Sequence, residues 1–170
     1  ITRETDIKLL VLGRQGEKTQ AYPTQIGSQL ETTIRTLNCP ILVVTSEFKS
    51  PKEILFAFDA SPTAFRILNK LSNNADLLRG MVLHLVMVNH CTQEPQFKEA
   101  ALLLKSAGIN VMANLFQGSV ENIISHYIKD NQIDLMIMGA YGHSKIRQLL
   151  IGSTTSEMLH KSPISLLLVR

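Results

Sequence analysis

The sequence predicts an α/β protein built on an open, doubly wound sheet. Three observations carry that prediction. From residue 53 to residue 170, apolar runs of strand length alternate with stretches of helical period, the mark of successive parallel βαβ units. A strand that ends on glycine occurs twice, at Ile7–Gly13 and Ile133–Gly139, offset by about 125 residues. Each copy then closes on a proline followed by an apolar run, Pro40–Val44 and Pro163–Val169.

The first segment, residues 1–46, reads as a strand, a glycine loop, a helix and a final strand. Its Gly13 and Gly16 correspond to Gly139 and Gly142, and Ile26-Gly27-Ser28 to Ile151-Gly152-Ser153. Two strands and one helix bury too little surface to stand alone. The segment is therefore expected to dock on residues 53–170, on a partner chain, or on protein preceding Ile1. Phe48–Lys52 is the junction, and the expected division is an incomplete unit at 1–47 and a complete one at 52–170.

The second segment is expected to run as follows. Glu53–Phe58 is a buried strand, and Ala64–Ser72 a helix that starts after Ser61-Pro62. Met81–Asn89 is a strand, Gln96–Ala107 a helix and Ile109–Phe116 a strand. A helix follows from Ser119 to about Lys129, then a strand at Ile133–Met138, a helix at Thr154–Lys161 and a last strand at Ile164–Val169. The runs 41–44 and 164–169 are apolar and end their repeats, so they are expected to be edge strands that find antiparallel partners, within the chain or in a dimer.

The stretch Met138–Ser153, MGAYGHSKIRQLLIGS, carries Gly139, Gly142 and Gly152 in a Gly-x2-Gly-x9-Gly-Ser spacing, with His143, Lys145 and Arg147 between them. Glycine lets the backbone turn where side chains would clash. Exposed amides before a helix N-terminus form an anion site of the kind a nucleotide's phosphates need. Thr154 and Glu157 are spaced as a capping box for that helix. The alternative is that these glycines are only turn residues. Asp59 directly follows the first strand of the second segment, at the same sheet edge as Gly139. It is placed either to accept a hydrogen bond from a ribose hydroxyl or base amino group, or to shape the start of the next helix.

Other chemistries find little support. His143 reads as a phosphate contact or solvated side chain, and His84 as a packed histidine in an apolar strand. His90, His126 and His160 have no partner at metal-ligand spacing. Ser61 lacks a GxSxG frame, and no GxxxxGK[ST] element is present. With a net charge of +3 and no basic block, nucleic acid is a poor partner candidate. Cys39 and Cys91 do not make a disulfide framework, so reduced thiols and a cytoplasmic location are expected. The apolar runs are too short to span a bilayer, so no membrane partner is expected.

Together, Asp59, the LHLVMV strand at Leu83–Val88, MGAYGHSKIRQLLIGSTT at Met138–Thr155 and the closing SPISLLLVR resemble the universal stress protein family in its tandem two-domain, ATP-binding form. The resemblance implies a five-stranded parallel sheet of order 3-2-1-4-5, helices on both faces, and antiparallel pairing of last strands between domains. It implies that Asp59 and the backbone of Ala57 and Val88 face adenosine. Met138, Gly139 and Gly142 then line the ribose-phosphate side, and Gly152, Ser153 and Thr154 hold the phosphates. The family often has glycine after the first-strand Asp, where this chain has Ala60.

The expected function is a regulatory or sensing protein of the stress response that binds ATP or ADP, with Mg2+ held through the phosphates. No catalytic residue is assigned, and a slow ATPase is the most the residues support. The reading from a different class is an interaction scaffold with a vestigial pocket, assembled through its terminal strands.

Overall fold

The computed structural model describes residues 8–13, 39–45, 49–88, 91–139 and 164–169. Among these residues seven strands form one sheet: β1 (Leu10–Gly13), β2 (Ile41–Val44), β3 (Glu53–Ala57), β4 (Val82–Val88), β5 (Asn110–Phe116), β6 (Leu135–Gly139) and β7 (Ser165–Val169). Among the described residues three helices accompany them: α1 (Pro62–Asn73), α2 (Glu94–Ser106) and α3 (Val120–Asp130). Short 3-10 turns lie at Ala75–Leu78 and Cys91–Gln93. The expected helix at Thr154–Lys161, and the helix expected in the first segment, lie outside the described residues.

Each helix follows from its sequence. Ser61 caps α1, its Oγ accepting the Ala64 N–H at 3.1 Å, and Pro62 occupies the first turn, where no amide proton is needed. Ala64, Ile67 and Leu68 then recur at helical spacing and are buried. In α2 the buried stripe is Phe97, Ala100, Ala101 and Leu104. In α3, capped by Ser119, it is Ile124, Tyr127 and Ile128.

The sheet order is β1-β2-β7-β6-β3-β4-β5. The expected five-stranded, all-parallel sheet is thus corrected to a seven-stranded mixed one. The strands of residues 53–169 lie in the order β5-β4-β3-β6-β7 and pair in parallel. The sheet continues because β2 pairs antiparallel with β7, in the register Ile41 to Leu168, Leu42 to Leu167 and Val43 to Leu166. β1 then pairs in parallel with β2. The physical reason is burial: Ile41, Val43, Leu166 and Leu168 are all buried at this seam, so two short strands without a core of their own gain one from the second segment.

Two apolar layers flank the sheet. On one face α1 and α2 cover Ile54, Phe56, Leu83, Leu85 and Met87. Edge-to-face contacts between Phe56 and Phe58, and between Phe58 and Phe65, knit that layer. On the other face α3 covers Leu55, Val86, Val88, Met136 and Met138. β3 and β4 are buried almost throughout, as the central strands of a parallel sheet must be. Among the described residues, no helix is long and apolar enough to cross a membrane.

Candidate functional site

The chain runs outward from β3 to β4 to β5, then returns past β3 to form β6. The two directions part between β3 and β6. In an open α/β sheet, the carboxyl ends of the strands at such a switch point frame the ligand crevice. β3 ends here at Ala57, followed by Phe58 and Asp59, and β6 ends in Met138 and Gly139.

Asp59 Oδ1 accepts the Ser61 N–H at 3.0 Å, closing a tight turn between β3 and α1. Ser61, not Asp59, caps the helix. The second carboxylate oxygen of Asp59 has no partner among the described residues, so the side chain is pinned by one oxygen and presents the other. Between them Ala60 adopts φ +53°, the left-handed region that favours glycine. That explains why a glycine suits this position. Ala60 keeps the turn and carries the strain instead.

Gly139 has a packing reason of its own. A Cβ on it would lie 3.1 Å from Cγ2 of Thr63, a buried residue in the first turn of α1. The missing side chain lets α1 settle against the end of β6 and brings the Asp59 turn beside it. Thr63 Oγ1 in turn accepts a hydrogen bond from Arg66 Nη2 at 2.9 Å, which holds an exposed guanidinium along the first turns of α1. Sequence reading missed Thr63 and Arg66. The one available signal was a polar residue, Thr63, beside the apolar stripe of a predicted helix.

Ala57, Val88 and Met138 each bury their side chain in the layer under α3. They border the switch point through backbone atoms only. Gly142, Gly152, Ser153 and Thr154 lie outside the described residues, as do His143, Lys145 and Arg147. The structure therefore brings together Ala57, Asp59, Val88, Met138 and Gly139 at one end of three adjacent parallel strands. Among the described residues no group of three or more His, Cys, Asp or Glu is placed to hold a metal ion.

His84 does not belong to this site. It is only 2% exposed and sits near the start of β4, at the opposite end of the strands. Its Nε2 lies 2.7 Å from Glu53 Oε2, and its Nδ1 lies 2.8 Å from the Tyr127 hydroxyl. Asn114 Nδ2 donates to that same hydroxyl at 2.8 Å. With Glu53 able only to accept and Asn114 donating, the hydrogen-bond set closes with a proton on His84 Nε2 and the Nδ1 lone pair facing Tyr127. The Tyr127 proton is then donated to Nδ1. Burial pushes the Tyr127 phenol up from its ordinary value; Asn114 works against the shift and the Glu53 carboxylate adds to it.

The sheet order and its helices define an open-sheet α/β protein. The universal stress protein family model matches residues 90–170. Universal stress protein Slr1230 of a Synechocystis species is 37% identical over 169 residues, covering 97% of this chain and 58% of that protein. Both findings support the universal stress protein family for this chain, which spans little more than half the length of that relative. Among solved structures, a universal stress protein from Archaeoglobus fulgidus matches with TM-score 0.71 at 18% identity, over 97% of this chain and 61% of its own. A universal stress protein in complex with cAMP matches with TM-score 0.56 at 18% identity, over 72% of this chain and 98% of its own. At these identities the structural matches speak for the fold alone.

Proposed function

We propose that this chain binds an adenine nucleotide, ATP or ADP, at the switch point between β3 and β6, and that binding serves a sensing or regulatory role in the stress response. The observation that carries the reading is Asp59: one oxygen holds the turn and the other is left for a ligand, at the strand ends where Gly139 also lies. In this reading the carboxylate accepts a hydrogen bond from ribose or base. The backbone of Ala57, Val88, Met138 and Gly139 lines the crevice. Gly142, Gly152, Ser153 and Thr154 take the phosphates, with Mg2+ held through the phosphate oxygens. That another universal stress protein was solved with cAMP makes an adenine nucleotide a reasonable first ligand to test. Slow hydrolysis is compatible with this arrangement, and a cytoplasmic location belongs to the same proposal.

Calorimetry with ATP, ADP, adenosine and triphosphate tests it. Asp59→Ala is expected to weaken adenosine-containing ligands by about 1–3 kcal/mol and leave triphosphate nearly unchanged. Gly142→Val is expected to weaken ATP about tenfold or more. No heat with either nucleotide at millimolar concentration, for the folded protein, sinks the reading.

One observation favours a second reading, a scaffold in which strand pairing is the function. The β2–β7 seam already joins two repeat-derived segments. In the tandem form proposed here, β1 and β2 are the last two strands of a first domain. Leu167→Lys, opposite Leu42 in that seam, is expected to damage assembly or solubility. If it also removes a cellular role while ATP affinity stays intact, the scaffold reading gains.

A further inference from the structure

Among the described residues β5 is the sheet's outer strand on the side remote from β1 and β2, and one of its backbone edges has no strand partner there. It is seven residues long, Asn-Val-Met-Ala-Asn-Leu-Phe. It carries none of the usual protections of an open edge: no proline, no charge and no glycine bulge. Met112 on this strand is 48% exposed. Beside the edge runs a groove of about 410 Å³, floored by Ala113 and Leu115 of β5 and walled by α2. The wall is a single stripe of α2, from Glu94 through Lys98 and Leu102 to Lys105. Leu102, in its middle, is 66% exposed although apolar.

The stripe is self-complementary. α2 runs antiparallel to β5, so Glu94 stands near the Leu115 end of the strand and Lys105 near the Val111 end. Glu94 and Lys105 are separated by about 16 Å of helix, and Val111 and Leu115 by about 13 Å of strand. A two-fold axis through Ala113 pairs each Val111 with the partner's Leu115. The same axis sets Glu94 against the partner's Lys105 and brings the exposed Leu102 of each copy to the seam. One symmetry operation thus satisfies the strand edge, the apolar stripe and the charges. Lys98 holds Glu94 Oε1 at 2.8 Å and leaves its other oxygen for the cross-pair. Lys105 has no ion pair among the described residues.

We propose that this chain self-associates through β5, as a two-fold antiparallel β5–β5 pair that continues the sheet into a second copy, with the α2 stripes packed across the axis. Because isologous contacts close on themselves, the product is a dimer and not a filament. The interface is independent of the nucleotide reading and of the β2–β7 seam.

Size-exclusion chromatography with light scattering across the micromolar range tests it, with circular dichroism to confirm folding. Wild type is expected to be dimeric. Leu102→Glu, at an exposed position, is expected to raise the dimer dissociation constant about tenfold or more. Lys105→Glu is expected to weaken the dimer by setting two carboxylates together, and Glu94→Lys with Lys105→Glu to restore it. A wild-type monomer leaves the groove to a different occupant and overturns the proposal. A dimer indifferent to Leu102→Glu and Lys105→Glu overturns it, as does a double variant no tighter than Lys105→Glu alone.

Discussion

The two ends of the same strands are built on opposite rules. At the amino end, polar groups are used up within the protein. His84, Glu53, Tyr127 and Asn114 join one another, and Asp134 Oδ2 accepts the N–H groups of both Lys52 and Glu53 at 2.9 and 3.1 Å. At the carboxyl end, Asp59 spends one oxygen and keeps one, Ala60 is held at positive φ, and Gly139 gives up its side chain to let α1 approach. A closed polar network serves stability, since leaving any member unpaired in a buried setting is costly. An open, mildly strained turn at a switch point is where a ligand finds partners. On the proposed reading, the half-used aspartate and not the buried histidine is the residue to test for a ligand.

The sharpest way to break the comparison is His84→Ala. It removes a buried ring and strands the Glu53 carboxylate and the Tyr127 hydroxyl, and is expected to cost about 3 kcal/mol by denaturant unfolding. Ligand affinity at the other end should stay within about twofold. A loss of affinity in the folded variant would show that the two ends are coupled.

Tyr127→Phe is next, at about 2 kcal/mol, because His84 Nδ1 and Asn114 Nδ2 lose their partner. It also carries a pH signature. The folded state holds the phenol proton more tightly than the unfolded state, so this contribution to stability is full below the ordinary tyrosine value near 10. It is lost as pH rises from there through the raised folded value. Melting temperatures should fall more steeply above about pH 10 in the wild type than in Tyr127→Phe; parallel curves would contradict the burial assigned to this hydroxyl.

At the carboxyl end, Gly139→Ala is expected to cost about 1–2 kcal/mol by crowding Thr63. Adding Thr63→Ser deletes the methyl group that clashes and should recover much of that loss. No recovery would mean that glycine is required by something other than α1 packing. The smallest effect expected is a gain. Ala60→Gly relieves about 1–2 kcal/mol of left-handed strain and gives back about 0.4–1 kcal/mol through the freer unfolded chain. A melting temperature at or above wild type supports the strained turn, and a clear drop argues against it.

Much of the fold was legible in the chain because it rests on period and punctuation. Alternating apolar runs marked β3 to β7, Ser61-Pro62 and Ser119 marked helix starts, and the repeat predicted that the first segment would have to dock elsewhere. Asp59 and Gly139 were legible as residues at one sheet edge, since each directly ends an apolar run. Their local roles were not. The Asp59 turn depends on Ala60 turning left-handed, and the Gly139 contact joins residues 63 and 139, which only the packing of α1 on β6 brings together.

The sequence by itself determined the element types, the parallel βαβ order and the carboxyl edge as the place to look, because these follow from side-chain periodicity within short windows. The antiparallel pairing expected of the runs 41–44 and 164–169 is found as the β2–β7 seam. Tertiary structure alone decided that the partner lies in the same chain, so that one seven-stranded sheet results, and that β5 has an open edge among the described residues. It also decided that His84 meets residues 31 and 43 positions away in a closed network. Those outcomes depend on which distant segments share a buried face. A hydrogen bond or an apolar contact gains its strength when both partners leave water together, and no local pattern in the chain records who the second partner is.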